Sequence, residues 1–144
     1  MFTVGVNPQG QNYQQTQIFA QNPANNARNE QIKAEKQQRY NEVYQHELAH
    51  KQAAGGLGGN IVIEQDADGW VTGGHVNITV PGLDKENPEK TKELAEIVIK
   101  AALAPSDPSG QDYKVAADAR AVLQAANEQI EQNKTVGSRL DISA

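Results

Sequence analysis

From Ala24 to Ala54 the chain contains neither glycine nor proline, and Ala, Glu, Lys, Gln and Arg dominate the run. These residues lose little side-chain freedom in a helix, so the run reads as one helix of roughly that length. Asn22 before Pro23 offers a cap followed by proline at the first helical position, and Gly55-Gly56 supplies a left-handed exit. The first half of this helix is polar on every side. Tyr40, Val43, Tyr44 and Leu48 put apolar bulk on the second half, so only that half is expected to pack. The rest of a 144-residue chain must be built around this rod, and that length allows one domain with a modest core.

The first 45 residues hold ten Gln and seven Asn, a composition that buries too little surface to offset chain entropy by itself. Residues 1–22 therefore read as a flexible tail. After the helix comes a glycine-rich elbow over residues 55–59, then the β-branched run Ile61-Val62-Ile63, the turn-forming Asp66-Ala67-Asp68-Gly69, and Trp70-Val71-Thr72. Asp-Gly between two such runs signals a hairpin. Beyond Gly73-Gly74 a third strand alternates, with His75, Asn77 and Thr79 on one face and Val76, Ile78 and Val80 on the other, until Pro81-Gly82 ends it.

Asn87 caps and Pro88 opens a further helix carrying Leu94, Ile97, Val98 and Ala101, which Pro105 stops. Ser109 and Asp112 form a capping-box-like pair for a last helix with Val115, Ala119, Val122, Leu123, Ala126 and Ile130 on one stripe. The expected fold is α+β: a long helix, a small antiparallel sheet of three strands built on a hairpin, and two antiparallel C-terminal helices. The domain would span residues 23–133, leaving 134–144 as a C-terminal tail.

A net charge of −5 with scattered Lys and Arg offers no attractive field for phosphate backbones, so no nucleic-acid partner is expected. Cysteine is absent, which excludes disulfides and thiolate metal sites; any metal must be held by His and carboxylate. No apolar run approaches a membrane span, and Met1-Phe2-Thr3-Val4-Gly5-Val6 lacks the basic and apolar regions of a secretory leader. A cytoplasmic location is the default expectation.

The sharpest chemical feature is His46-Glu47-Leu48-Ala49-His50, an HExxH sequence inside the long helix. At about 100° and 1.5 Å per residue, the two histidines point within about 40° of each other and about 6 Å apart, so both imidazoles can reach one tetrahedral zinc. Glu47 sits about 100° from His46 and about 60° from His50 on the helical wheel, beside the metal without ligating it. That placement suits a general base acting on water activated by Zn2+ in peptide-bond hydrolysis.

A catalytic zinc needs a third protein ligand, and His75 is the one histidine left. Gly73-Gly74 would let its strand approach the helix closely, because no side chain intervenes. The competing reading of His75 is an exposed residue on a polar strand face. Glu64, Asp66, Asp68 and Asp112 are alternative ligands. Asp66-Ala67-Asp68-Gly69 fails as a calcium loop, since the twelfth position from Asp66 is Asn77 rather than Glu. Tyr44 and Tyr113 each carry a phenol able to donate to an oxyanion, although Tyr44 also fits a core position. The glycine run at 55–59 lacks the GK[ST] ending of a phosphate loop.

Several blocks in one order carry a family resemblance. They are Glu42-Val43-Tyr44-Gln45-His46-Glu47-Leu48-Ala49-His50, Ala53-Ala54-Gly55, Asp68-Gly69, Gly73-Gly74-His75-Val76, Ala101-Ala102-Leu103-Ala104-Pro105, Pro108-Ser109, Gln111-Asp112 and Val115-Ala116-Ala117. Over roughly residues 40–130 the chain resembles the SprA-related metalloprotease family of bacteria. The resemblance implies a zincin-like, zinc-dependent peptidase with His46 and His50 as ligands and Glu47 as catalytic acid/base, acting on a protein or peptide substrate. The chain departs from that pattern where the Gly-Gly block is usually followed by Glu: here it is His75, and the preceding hairpin is about two residues shorter. If that Glu is the family's third ligand, His75 turns a two-histidine, one-glutamate site into a three-histidine one; if it is not, the third ligand is unassigned. A zinc-stabilised module without catalysis is the alternative, and a third reading is an assembly protein in which HExxH is fortuitous.

Overall fold

In a computed structural model of the chain, residues 22–142 are described. The expectation of a flexible N-terminal tail falls on residues outside that range, apart from Asn22. Two compact units divide the chain, Met1–Lys33 and Ala34–Ala144. Within the first, the described part is the opening of helix α1, Pro23–Ala54. The Asn22 side chain accepts from the backbone N–H of Ala24 at 3.1 Å, and its carbonyl accepts from Asn25 and Asn26, so the cap forms where the Asn-Pro pair put it.

The remainder lies in the second unit. Helix α1 buries Val43, Glu47, His50 and Ala54, a stripe at spacings of four, three and four. Two of those four residues are ionisable, which apolar periodicity does not reveal. Tyr40, one turn earlier, stays at the surface and stacks on Tyr44 with ring centroids 6.2 Å apart. Gly55 ends the helix with φ +54°, the left-handed conformation that favours glycine, and a single 3-10 turn over Gly55–Leu57 follows.

Strand β1, Gly58–Gln65, pairs antiparallel with β2, Val71–Ile78. The turn between them is closed by its own side chain: Asp66 Oδ1 accepts from the N–H groups of Asp68 and Trp70 at 3.0 and 2.8 Å. The backbone N–H of Asp66 donates to the Trp70 carbonyl at 2.9 Å, and Gly69 adopts φ +80°.

The expected third strand is not a separate element. The sheet has two strands: Val71-Thr72 and the stretch from His75 to Ile78 fuse into the single strand β2, while Trp70, Thr79 and Val80 lie outside it. Gly73 and Gly74 look like a break in the sequence, yet they pair in register with Glu64 and Ile63. Their physical role is close approach: a Cβ at Gly74 would lie 2.8 Å from Cγ1 of Val43 and 3.1 Å from Cγ of Glu47. The alternation itself is as expected, with His75 and Asn77 exposed and Val76 and Ile78 turned inward.

Helix α2, Pro88–Ala102, starts at Asn87, whose side chain accepts from the Lys90 N–H. Its buried stripe runs through Thr91, Ala95, Val98 and Ala102. Helix α3, Gly110–Ile142, answers with Ala116, Ala119, Ala126 and Ile130. Small side chains on both faces let the two backbones approach closely, and this pair is the most extensive helix contact of the unit. Ser109 and Asp112 form the reciprocal cap of α3: the Asp112 N–H donates to Ser109 Oγ at 3.2 Å, and the Ser109 N–H donates to Asp112 Oδ2 at 2.6 Å. The helix continues past residue 133 to Ile142, and residues 131–140 are all exposed. Among the described residues no helix is long and apolar enough to cross a membrane.

The space at Gly74 gives a paired test. Gly74→Ala forces Val43 and Glu47 aside and should destabilise the fold by about 1–3 kcal/mol in chemical denaturation. Gly73→Ala, whose Cβ would meet nothing closer than Glu64 Oε2 at 3.6 Å, should cost distinctly less.

Candidate metal centre

Helical spacing alone brings His46 and His50 to the same side of α1, and their ring centroids stand 5.1 Å apart at an interplanar angle of 73°. The third member of the group comes from another helix. Asp112, in the first turn of α3, places Oδ2 3.3 Å from His50 Nε2 and 4.0 Å from His46 Nε2. One ligand atom from each of His46, His50 and Asp112 falls within 4.8 Å of the other two. Imidazole nitrogen and carboxylate oxygen are the donors a borderline-soft divalent ion such as zinc accepts.

His50 is nearly fully buried, with 3% of its side chain exposed, and both ring nitrogens are engaged. Its Nδ1 lies 2.9 Å from the Ala101 carbonyl near the end of α2. A carbonyl can only accept, so Nδ1 carries the proton, and in neutral imidazole Nε2 then presents its lone pair toward Asp112. A lone pair facing a carboxylate oxygen at 3.3 Å calls for a cation between or beside them, either a proton or a metal ion.

Glu47, 5% exposed, lies beneath the group and does not belong to it. Burial pushes its carboxyl above the usual glutamate range; His50 and His46 pull in the opposite direction and Asp112 adds to the rise. A carboxyl held in this way keeps its proton to higher pH than an exposed glutamate does.

A cavity of about 360 Å³ opens over these residues. His46 and Glu47 line it from α1, residues 74–78 line it from β2, and Ser109, Gln111, Asp112 and Val115 line it from the start of α3.

Of the residues singled out in the sequence, the structure brings His46, His50 and Asp112 together, with Glu47 buried beside them on α1. His75 borders the same cavity but stands outside the metal group. Gly74 turns toward Val43 and Glu47, so His75 starts from the other face of the strand, 46% exposed, with Nδ1 3.3 Å from Glu64 Oε1. Glu64 is thereby paired with His75, and Asp66 is used by the turn. Tyr44 is stacked on Tyr40, and Tyr113 projects largely into solvent. The capping-box spacing marks Asp112 as a helix cap; its reach to the histidines depends on how α2 and α3 fold back on α1.

Because burial raises the Glu47 carboxyl, the folded metal-free protein holds that proton more tightly than the unfolded chain. Stability therefore falls as pH rises from the ordinary glutamate value of 4.5 through the raised one. Thermal unfolding of metal-free Glu47→Gln should show a higher midpoint than the parent at pH 7. That difference should close as the pH falls below 4.5.

No curated protein and no solved structure matches the chain. A family model does match, over residues 6–141, and its description is the SprA-related family. The match spans nearly the whole sequence, wider than the stretch in which the motif blocks occur, and it takes in the HExxH helix, the hairpin and both later helices. The chain belongs to the SprA-related family.

Proposed function

We propose that the chain is a zinc-dependent metallopeptidase in which His46, His50 and Asp112 hold the ion and Glu47 handles the proton. The observation that carries this reading is the commitment of His50 Nδ1 to the Ala101 carbonyl, which leaves Nε2 facing Asp112 with His46 alongside. Three ligands that include two imidazoles match a catalytic zinc site, which keeps a position for water or substrate. When bound, the ion supplies Lewis-acid polarisation of a peptide carbonyl and makes water a stronger acid. Glu47 accepts the proton of the attacking water and returns it to the amide nitrogen as the C–N bond breaks. Desolvation by the surrounding α1, β2 and α3 walls strengthens each of these interactions.

The substrate class follows from the cavity wall. Five consecutive residues of β2 line it, so the strand presents its edge there rather than one face. Among the described residues β1 is the only strand paired with β2. An extended peptide can add along that edge through main-chain hydrogen bonds and pass over Glu47.

One observation favours a second reading, a zinc-stabilised module without catalysis. The group ties α1 to the end of α2 through Ala101 and to the cap of α3 through Asp112, as a structural ion would.

Metal analysis should find about one zinc per chain, retained in Glu47→Gln and His75→Ala and weakened more than about tenfold by Asp112→Ala. Glu47→Gln should abolish peptide cleavage; a variant that cleaves as fast as the parent overturns the mechanism. Zinc binding with no cleavage across a peptide library would leave the structural reading. On the Glu47→Gln protein, N-methylation of a bound peptide should weaken binding at alternate residues only, since one side of an added strand faces β2.

A further inference from the structure

The hairpin that walls the cavity is fastened to α1 at three separate places. At its middle Gly74 meets Val43 and Glu47. At its open end Lys51 Nζ donates to the Gly59 carbonyl at 3.1 Å. At its turn Lys36 Nζ donates to the Asp68 carbonyl and stands 5.3 Å from the centroid of the Trp70 ring. Elsewhere the backbones of α1 and the hairpin approach closely at few points. The two lysines lie about 22 Å apart along the helix axis and bracket His46 and His50.

Lys36 makes two contacts with one ammonium, a charge-assisted hydrogen bond to a backbone carbonyl and a cation–π contact with an indole. Both partners belong to a turn that moves as a unit, because Asp66 bonds the Trp70 backbone in both directions. Trp70 leads directly into Val71, which is buried at the start of β2, and Gly74 follows about 10 Å further along the strand. A displacement of the turn is therefore passed along β2 to the edge opposite Asp112.

We infer that Lys36 is a positioning residue of the site: by holding Asp68 and Trp70 it sets how far the β2 edge stands from Glu47, and so the width of the cavity that takes the peptide. The peptide part of this inference rests on the metallopeptidase reading; the placement of the strand does not.

Trp70 is the one tryptophan of the chain, so its fluorescence reports the contact directly. In the full-length protein, Lys36→Met should shift Trp70 emission to longer wavelength and raise its quenching by acrylamide. Backbone amides of residues 71–78 should exchange roughly three- to fivefold faster, the change expected when an exposed cation–π pair no longer holds the turn. Lys36→Arg, which keeps charge and donors, should restore both signals, and Lys85→Met should leave them unchanged. In cleavage assays Lys36→Met should raise KM severalfold with kcat little changed, because the strand edge binds peptide while Glu47 and the ligands stay in place.

Unaltered Trp70 emission and amide exchange in Lys36→Met would overturn the inference. So would altered signals with an unchanged KM, since the contact would then exist without setting the cavity. If the protein cleaves no peptide at all, the metallopeptidase reading fails, while faster exchange over residues 71–78 still upholds the placement of the strand by Lys36.

Discussion

The arrangement of this protein turns on one imidazole. His50 reaches the last turn of α2 with Nδ1 and the first turn of α3 with Nε2, so a single buried side chain on α1 touches both helices at their junction. The Ala101 carbonyl it engages also accepts from the Ala104 N–H at 3.3 Å, so both of its lone pairs are used at the end of α2. Burying a ring with two polar atoms is tolerable only where both find partners: Ala101 supplies one for Nδ1 and so fixes the tautomer, while Nε2 and Asp112 are compatible through a cation they share. The same contacts hold Nε2 toward the Asp112 carboxylate.

This arrangement needs the alanine-rich seam between α2 and α3. Ala95, Ala101 and Ala102 on α2 and Ala116 and Ala119 on α3 are all fully buried, and such thin side chains let the two helices pack closely enough for the end of one and the start of the other to meet α1 together. Asp112 serves two purposes there. Its Oδ2 accepts the Ser109 N–H that opens α3 and also stands 3.3 Å from His50 Nε2, so one carboxylate oxygen serves the helix cap and faces the buried imidazole.

Much of this is legible in the residues. Asn22-Pro23 and Gly55 mark the ends of α1, Asp66 to Gly69 mark the hairpin turn, and Ser109 with Asp112 mark the start of α3, because caps and turns are local and each residue type has a local reason. HExxH spacing places His46, Glu47 and His50 together for the same reason. What sequence does not resolve is non-local. Gly73-Gly74 reveals that the strand can approach the helix closely, but neither that Val43 and Glu47 take up the space nor that the pair lies within one continuous strand. Asp112 stands among several carboxylates, and only the path of α2 and α3 brings it to the histidines. The buried stripe of α1 is obscured because half of it is Glu47 and His50.

The continuity of α1 carries a further consequence for how this chain can vary. One uninterrupted helix bears Lys36, Glu47 and Lys51, so it works as a ruler with fixed graduations and fixed bearing. Inserting a single residue between positions 36 and 46 would swing the lysine by about 100° around the axis relative to the histidines, away from the turn it grips. A seven-residue insertion would nearly recover the bearing but displace the lysine by about 10 Å, past the end of the hairpin. Length changes in this stretch are thus unequal to changes in the exposed end of α3, where an added or missing turn alters neither angle nor reach at the histidines.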